Sequence, residues 1–100
     1  MAFTQYSYER LQEADNDLQE IYDYTATNFG ADQAIKYLNG LDNLFHFLCT
    51  HPHTRRMRNE IRKGVRNSSY ISHIVFYRVL ESRIRIVRIL YASRDIPRFL

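Results

Sequence analysis

The sequence has few of the residues that build disulfide frameworks and metal sites. It contains one cysteine, no tryptophan, three glycines and two prolines in 100 residues. A single cysteine excludes an internal disulfide, and no Cys-His zinc pattern is present, so no metal and no other cofactor is predicted. Cys49 lies in an apolar run and is predicted to be a buried thiol rather than a nucleophile.

Long apolar runs are also absent. No segment approaches eighteen consecutive apolar residues, so no membrane span is predicted. The first twenty residues are mostly polar and acidic, which does not resemble a secretory signal, and with the single cysteine this favours a cytoplasmic protein. Apolar residues still make up 45% of the chain, so we expect residues 1–100 to form a single domain around one core.

Charge of each sign is concentrated in one half of the chain. Residues 1–54 contain two Lys or Arg and eight Asp or Glu, a net charge of −6. Residues 55–100 contain twelve Lys or Arg and three Asp or Glu, a net charge of +9. This asymmetry favours an acidic or phosphate-bearing partner, unless the two halves neutralise each other across their contact.

The first half is predicted to form a short strand and two helices. Alternating aromatic residues predict a strand over residues 3–8. Apolar residues recur every three or four positions from Leu11 to Phe29, which predicts an amphipathic helix ending at a left-handed Gly30. Acidic side chains fall largely off its apolar face, namely Asp15, Asp17, Glu20 and Asp23.

A second helix is predicted directly after the first. Its apolar stripe runs from Ala34 to Leu48, and Pro52 closes it. Only a few residues around Gly30 join the two helices, so they are predicted to form an antiparallel hairpin. Gly40 lies inside the second helix and is predicted to allow close approach of the first.

The second half is predicted to be largely β-structure. A basic loop at residues 53–63 precedes three strands, which are predicted at 64–68, 70–80 and 83–91, with a tight turn at Glu81-Ser82. The last strand alternates with Arg and then becomes apolar on both faces, which predicts a central strand covered at one end or a bulge near Val87. The tail, residues 92–100, is predicted to be short and irregular.

The predicted order is therefore β-α-α-β-β-β. The fold class is α+β, with the helical hairpin packed on one face of a small antiparallel sheet. No internal repeat, low-complexity tract or linker is present.

Short motifs spread over nearly the whole chain resemble those of ParE-like toxins in the RelE/ParE toxin-antitoxin superfamily. Their order and spacing carry the resemblance, because each motif alone is short. They stand as Ala14-Asp15-Asn16-Asp17-Leu18, Gly30-Ala31-Asp32-Gln33-Ala34, Pro52, Glu60-Ile61-Arg62-Lys63-Gly64-Val65-Arg66, Ser72-His73-Ile74-Val75-Phe76-Tyr77 and Arg88-Ile89-Leu90-Tyr91.

The sequence departs from that pattern at three places where target contact is expected. Tyr91 stands for the usual His after Arg-Ile-Leu, and Arg94-Asp95 for the usual Met-Asp. Arg55 replaces a Gly common after the Pro loop, which makes that loop more cationic.

The resemblance implies a RelE/ParE-like fold and a toxin that arrests growth and stabilises plasmids. It implies poisoning of DNA gyrase, so that replication fails, and neutralisation by a cognate ParD-like antitoxin. Operator DNA would be bound only through that antitoxin. The sister RelE branch has the same fold but cuts messenger RNA in the ribosome, and an inactive toxin that acts only as a binding module is a third reading.

The residue types for RNA cleavage are available in the sequence. Metal-independent cleavage needs a base, an acid and cations for the phosphorane charge. Glu60 is the candidate base and Tyr91 or His73 the acid. The candidate cations are Arg62, Arg66, Arg88 and Arg94, with Arg88 the leading one. Each of these residues could instead have a purely structural role. Glu60 would then form an ion pair with Arg62 or Arg66, His73 would be packed, and the Tyr91 hydroxyl would point to water.

Two further groups of residues are candidate contact sites. Arg88 interrupts an apolar run, so its guanidinium is predicted to be fixed and partly buried. The predicted target-binding residues are Arg88, Tyr91, Arg94, Asp95, Arg55, Arg56 and Arg62. Aromatic residues of the helical hairpin are either core or an antitoxin-binding surface. They are Tyr22, Tyr24, Phe29 and Tyr37.

Overall fold

The computed structural model describes residues 6–93 and 96–100. The elements run in the order β1 (Ser7–Arg10), α1 (Gln12–Phe29), α2 (Ala31–Thr50), β2 (Arg66–Tyr70), β3 (His73–Val79), β4 (Arg83–Tyr91) and α3 (Ile96–Phe99). The predicted α+β class and β-α-α-β-β-β order are confirmed. The part of the first predicted strand at residues 3–5 lies outside the described residues. The tail is not wholly irregular, because α3 forms one helical turn.

The four strands form one mixed sheet in the order β1-β4-β3-β2. Both ladders of β3 are antiparallel, as predicted, but β1 pairs parallel to β4 with Ser7 opposite Arg83. Leu11 alone separates β1 from α1, so α1 continues in the direction of β1 and α2 brings the chain back before β2 begins. The sheet is therefore not wholly antiparallel.

β4 is covered along its outer edge by two different elements. β1 pairs with it only as far as Ile86, where the Leu11 N–H donates to the Ile86 carbonyl at 3.0 Å. The remainder of β4 lies beside α1. A register shift leaves Val87 without its own partner on β3, since Tyr77 pairs with Ile86 and Phe76 with Arg88. The predicted bulge near Val87 is confirmed.

Gly30 joins the two helices in a backbone conformation that favours glycine. Its φ is 95° and its ψ is 159°, and its N–H donates to the Ala26 carbonyl at 3.0 Å. The positive φ agrees with prediction, but the extended ψ differs from the left-handed region that was expected. One residue therefore ends α1 and starts α2, which fixes the antiparallel hairpin.

Both faces of the sheet carry apolar side chains. The helical hairpin covers one face, with Leu41, Phe45 and Leu48 packed against the sheet. A smaller core lies on the other face around Val65, Phe76, Val87 and Leu90, where Leu11, Ile61, Ile74, Ile96 and Leu100 pack. The second core explains why the end of β4 is apolar on both faces.

Two sequence predictions about the β2–β3 region are wrong in detail. β3 is shorter than predicted and β2 begins and ends two residues later than predicted, because Ile71 takes a φ of 48° and forms the turn between them. Gly40 does not serve helix–helix approach, because the atom nearest to a Cβ there would be the Tyr70 hydroxyl, at 1.7 Å. The turn at Glu81-Ser82 is confirmed, with the Leu80 N–H donating to the Arg83 carbonyl at 2.8 Å.

No helix in the described ranges has the length and apolar character needed to cross a bilayer.

Candidate functional site

The Arg88 side chain on β4 is fixed by three hydrogen bonds to two groups, one on α1 and one on α3. Its Nε and Nη2 donate to the Asp17 carboxylate at 2.8 and 2.9 Å, and its Nη1 donates to the Phe99 carbonyl at 2.8 Å. The bonds to Asp17 raise the pKa of Arg88, although burial opposes them. The prediction of a fixed, partly buried guanidinium agrees with this geometry.

Asp17 is the buried partner that the sequence analysis missed. Its carboxylate accepts both bonds from Arg88 and a third from the Ile89 N–H at 2.9 Å. Only 7% of the residue is exposed, so its placement off the apolar face of α1 was wrong. Ile89 lies on the part of β4 that does not pair with β1, so the Asp17 carboxylate supplies the hydrogen-bond acceptor for its N–H. Only the motif from Ala14 to Leu18 could have indicated that Asp17 is buried, because its Ala-x-x-Asp-Leu spacing places an acidic residue beside apolar positions.

A cleft lies between α1 and this end of β4. Its volume is about 450 Å³, and it is open to solvent on one side. Acidic and apolar side chains of α1 form one wall, and the end of the sheet forms the other. The lining residues are Asp17, Glu20, Ile21, Tyr24, Thr25, His73, Ile89, Leu90 and Tyr91.

An aromatic cluster closes one end of the cleft. The Tyr37 hydroxyl lies 2.8 Å from His73 Nδ1, and the His73 ring meets the Tyr91 ring edge-on at 5.4 Å between centroids. Tyr37 also packs edge-on against Tyr70 at 5.1 Å. Burial raises the pKa of Tyr37, so its hydroxyl remains a neutral hydrogen-bonding group. His73 is packed and hydrogen-bonded, in agreement with a structural role. Tyr37 packs against the main core.

Exposed apolar side chains gather at this same end of the molecule. Tyr24 and Tyr91 line the cleft, and Phe29 and Ile35 lie on either side of the Gly30 turn. Ile71 lies in the turn between β2 and β3, where the Ser72 N–H donates to the Tyr37 hydroxyl. These five residues are called the apolar end. Ile71 is 75% exposed, and its φ of 48° is strained for a β-branched residue. No sequence pattern predicted this strained backbone conformation.

The basic loop lies near the other end of β3. The Arg78 Nη1 donates to the Lys63 carbonyl at 2.6 Å, and Arg66 donates to the Arg55 carbonyl. Arg55 also donates to the buried Ser68 hydroxyl at 3.3 Å. These bonds hold the loop against the sheet with its cationic groups at the surface.

Glu60 is paired with cations of its own loop. It accepts a bond from Arg58 Nε at 2.7 Å and lies 3.7 Å from Arg56, so the expected pairing with Arg62 or Arg66 was wrong. The bond from Arg58 lowers the pKa of Glu60. A lowered pKa makes a carboxylate a weaker base, which is opposite to what proton abstraction near neutral pH requires.

The structure separates the three candidate ribonuclease residues. Tyr91 pairs with His73 at the start of β3, whereas the Glu60 loop contacts Arg78 near its end. At roughly 3.3 Å per residue, five residues of strand correspond to about 16 Å. Tyr91 and Arg88 both lie at one end of β4, whereas Glu60 lies in a loop that contacts the sheet away from them. Arg94 and Asp95 lie outside the described residues.

No group of three potential metal ligands occurs among the residues with described positions. Cys49 is buried, and burial raises the pKa of its thiol, in agreement with a structural role.

Comparison with known proteins identifies the family. The profile of the ParE toxin of type II toxin-antitoxin systems, parDE, matches residues 8–96. The chain belongs to the ParE toxin family. It is similar to Toxin ParE1 of Mycobacterium tuberculosis, with 40% identity over 82 residues that cover 81% of this chain and 84% of that protein.

Other ParE proteins and one solved structure agree. Toxin ParE1 of Caulobacter vibrioides is 33% identical over 88 residues, covering 88% of this chain and 91% of that protein. The chromosomal ParDE toxin-antitoxin system from P. aeruginosa contains a chain with the same fold, at a TM-score of 0.79 and 22% identity. The match covers 91% of this chain and 100% of that chain. The chain is thus a ParE-family toxin of a type II toxin-antitoxin system.

Proposed function

We propose that this ParE-family toxin acts as one cytoplasmic domain that poisons DNA gyrase without cleaving RNA. The observation that carries the proposal is the family match over residues 8–96. The separation of Glu60 from Tyr91, and the ion pair that lowers the pKa of Glu60, support a toxin without cleavage chemistry. Gyrase inhibition is the role that the resemblance to ParE-like toxins implies.

The proposed gyrase contact combines residues at the end of β4 with residues of the basic loop, together with two residues predicted from the sequence alone. Arg88 and Tyr91 belong to the first part, Arg55, Arg56 and Arg62 to the second, and Arg94 and Asp95 complete the set. Tyr91 is 48% exposed, so its ring is available to a partner. Arg88 contributes by fixing the end of β4, since each of its donor groups is already engaged.

A supercoiling assay with purified gyrase and the purified chain tests the target. We expect loss of supercoiling and accumulation of cleaved DNA. In cells, pulse labelling after induction should show an early fall in DNA synthesis while translation continues. An early fall in protein synthesis, with gyrase unaffected in vitro, contradicts the proposal and favours the RelE-like alternative.

Matched variants separate gyrase poisoning from RNA cleavage. Glu60→Ala and Tyr91→Phe should retain full growth arrest, because neither the Glu60 carboxylate nor the Tyr91 hydroxyl takes part in proton transfer. Tyr91→Ala should reduce growth arrest, since it removes the exposed ring. If Glu60→Ala or Tyr91→Phe abolishes toxicity while circular dichroism shows an intact fold, the cleavage mechanism gains support.

We further propose that a ParD-like antitoxin covers the cleft and the apolar end. Tyr24, Phe29, Ile71 and Tyr91 expose 48–75% of their surface there, which is more apolar area than a free surface usually groups together. Strain at an exposed Ile71 is typical of a residue kept for binding rather than for folding. Tyr22 and Tyr37 are half-buried and complete the proposed antitoxin-binding set.

Replacing Ile71 tests the antitoxin surface. Ile71→Gly should weaken antitoxin binding, because it removes an apolar contact, yet it should raise the free energy of unfolding by about 1 kcal/mol by relieving the positive φ. Titration calorimetry with the cognate antitoxin and urea unfolding measure the two effects.

Met57→Ala is the matched control for that variant. Met57 is 47% exposed but lies in the basic loop, so its replacement should leave antitoxin affinity unchanged. Equal affinity for wild type and Ile71→Gly would exclude the turn from the antitoxin interface.

A further inference from the structure

Seven cationic side chains form a surface on and beside the basic loop. They are Arg55, Arg56, Arg58, Arg62, Lys63, Arg66 and Arg78, and they are called the cationic surface. Glu60 makes ion pairs with Arg58 and Arg56. Within residues 6–93 and 96–100, no carboxylate lies at ion-pair distance from the other five cations. The surface thus keeps a large net positive charge.

The backbone beneath this surface is held in one conformation. The Arg58 N–H donates to the Val65 carbonyl at 2.6 Å, and the Asn59 side chain accepts from the Gly64 N–H at 2.8 Å. Ile61 and Val65 pack in the second core. Together with the bonds from Arg66 and Arg78 to loop carbonyls, these contacts present the cations without further ordering of the loop. A preordered surface loses less entropy when a ligand binds.

The kind of partner follows from what this surface does not contain. Met57 is the exposed large apolar residue among the described residues of the basic loop. The exposed aromatic residues lie elsewhere, with Tyr24, Phe29 and Tyr91 at the apolar end, Phe47 on α2 and Phe99 on α3. Protein interfaces depend on buried aromatic or apolar residues, and single-stranded nucleic acids on aromatic rings for stacking. A duplex phosphate backbone needs neither, because its affinity comes from cations that displace counterions.

We propose that the cationic surface binds the phosphate backbone of duplex DNA without sequence preference. The choice of DNA over duplex RNA rests on the proposed gyrase function, since duplex DNA is the substrate of gyrase. Within the proposed gyrase contact, the basic loop would therefore lie on the DNA that gyrase holds rather than on the protein, through Arg56, Arg62 and Lys63. Their side chains are exposed and make none of the bonds that hold the loop. Its cleft and apolar end stay available to protein partners.

Fluorescence anisotropy with a labelled DNA duplex and the full chain, without gyrase, tests the proposal. Wild type should bind at low salt, and the logarithm of its binding constant should fall steeply with the logarithm of salt concentration. Neutralising three cations with Arg56→Gln, Arg62→Gln and Lys63→Gln together should reduce that slope by roughly 2.7, at about 0.9 per phosphate contact.

Two lysines provide a matched control. Lys63→Gln should reduce the slope by about 0.9, whereas Lys36→Gln, the same chemical change on α2, should leave it unchanged. Urea unfolding of each variant checks that the fold is retained.

Three outcomes of the duplex titrations would overturn the proposal. They are no binding at low salt, an unchanged slope in the triple variant, or an equal effect of Lys36→Gln and Lys63→Gln. Tighter binding to an acidic protein competitor than to the duplex would also overturn it and assign the surface to a protein. Failure of gyrase inhibition appears separately in the supercoiling assay, so the two proposals fail independently.

Discussion

At the scale of single residues, Asp17 and Arg88 form a largely buried ion pair at one end of β4. Its carboxylate joins α1 to β4 through Arg88 and the Ile89 N–H, and Arg88 extends the link to α3 at Phe99. Removing one member of a buried ion pair leaves the other charge without a partner, which costs more than the pair itself contributes. The stability of this end of β4 therefore depends on Asp17.

Asp17→Ala should lower the free energy of unfolding by about 3–5 kcal/mol, because the Arg88 guanidinium, at 16% exposure, would lose its buried carboxylate partner. Urea unfolding followed by circular dichroism measures the change. Glu13→Ala is the control, since Glu13 is 70% exposed at 3.9 Å from Arg88. It should cost no more than about 0.5 kcal/mol. Similar losses for the two variants would contradict the role given to Asp17.

At the scale of elements, Gly40 lets α2 and β2 approach each other closely. The Tyr70 hydroxyl occupies the space where a side chain at Gly40 would begin, and the Tyr70 ring is packed edge-on against Tyr37. A glycine inside a helix is normally a cost, so its presence here reflects the closeness of the tyrosine.

Gly40→Ala should destabilise the protein by about 1–3 kcal/mol through overpacking. This outweighs the gain of about 1 kcal/mol that alanine brings to a helix. In a Tyr70→Ala background the same replacement should become neutral or stabilising, because the obstructing ring is gone. Thermal unfolding of the four variants in a double-mutant cycle measures the coupling. Additive effects would show that Tyr70 does not set the requirement for glycine.

At the scale of the whole molecule, tyrosine hydroxyls connect the helices to the rest of the fold. Burial, reinforced by a 2.5 Å bond to Asp42, raises the pKa of Tyr8 to about 12. Burial also raises the pKa values of Tyr37 and Tyr77. A group whose pKa is higher in the folded state contributes stability that is complete below its unfolded pKa and is lost as the pH rises through the folded value.

The free energy of unfolding should therefore decline as the pH rises from about 10 toward 12. Tyr8→Phe should flatten part of this decline, because phenylalanine has no hydroxyl to ionise. Tyr24→Phe, at a position 66% exposed, is the matched control and should leave the pH profile unchanged. Urea midpoints at several alkaline pH values provide the measurement, and identical profiles for wild type and Tyr8→Phe would contradict the assignment.

Charge separation is the other property of the whole molecule. The acidic half forms α1 and α2, and the basic half forms the loop and most of the sheet. The two halves partly neutralise each other, as Glu9 does with Arg83 and Arg85, yet the cationic surface keeps its charge. The sequence allowed two interpretations of the asymmetry, namely mutual neutralisation of the two halves and attraction of an acidic or phosphate-bearing partner. Each interpretation describes a different part of the molecule.

The sequence by itself determined the features that depend on neighbouring residues. The period of three and four in α1 and α2, the positive φ at Gly30 and the bulge at Val87 all follow from local patterns of apolar residues and glycine. Burial of Cys49 and a fixed guanidinium at Arg88 were also predictable, since each lies within an apolar run. The family resemblance likewise rests on short motifs in a fixed order.

Only the tertiary structure decided the features that join distant parts of the chain. The parallel pairing of β1 with β4 depends on the path through both helices, and the burial of Asp17 depends on a strand about seventy residues away. The ion partner of Glu60 and the distance between Glu60 and Tyr91 depend on how the loop lies on the sheet. Periodicity places a residue on a face of its own element, but it carries no information about which element packs there.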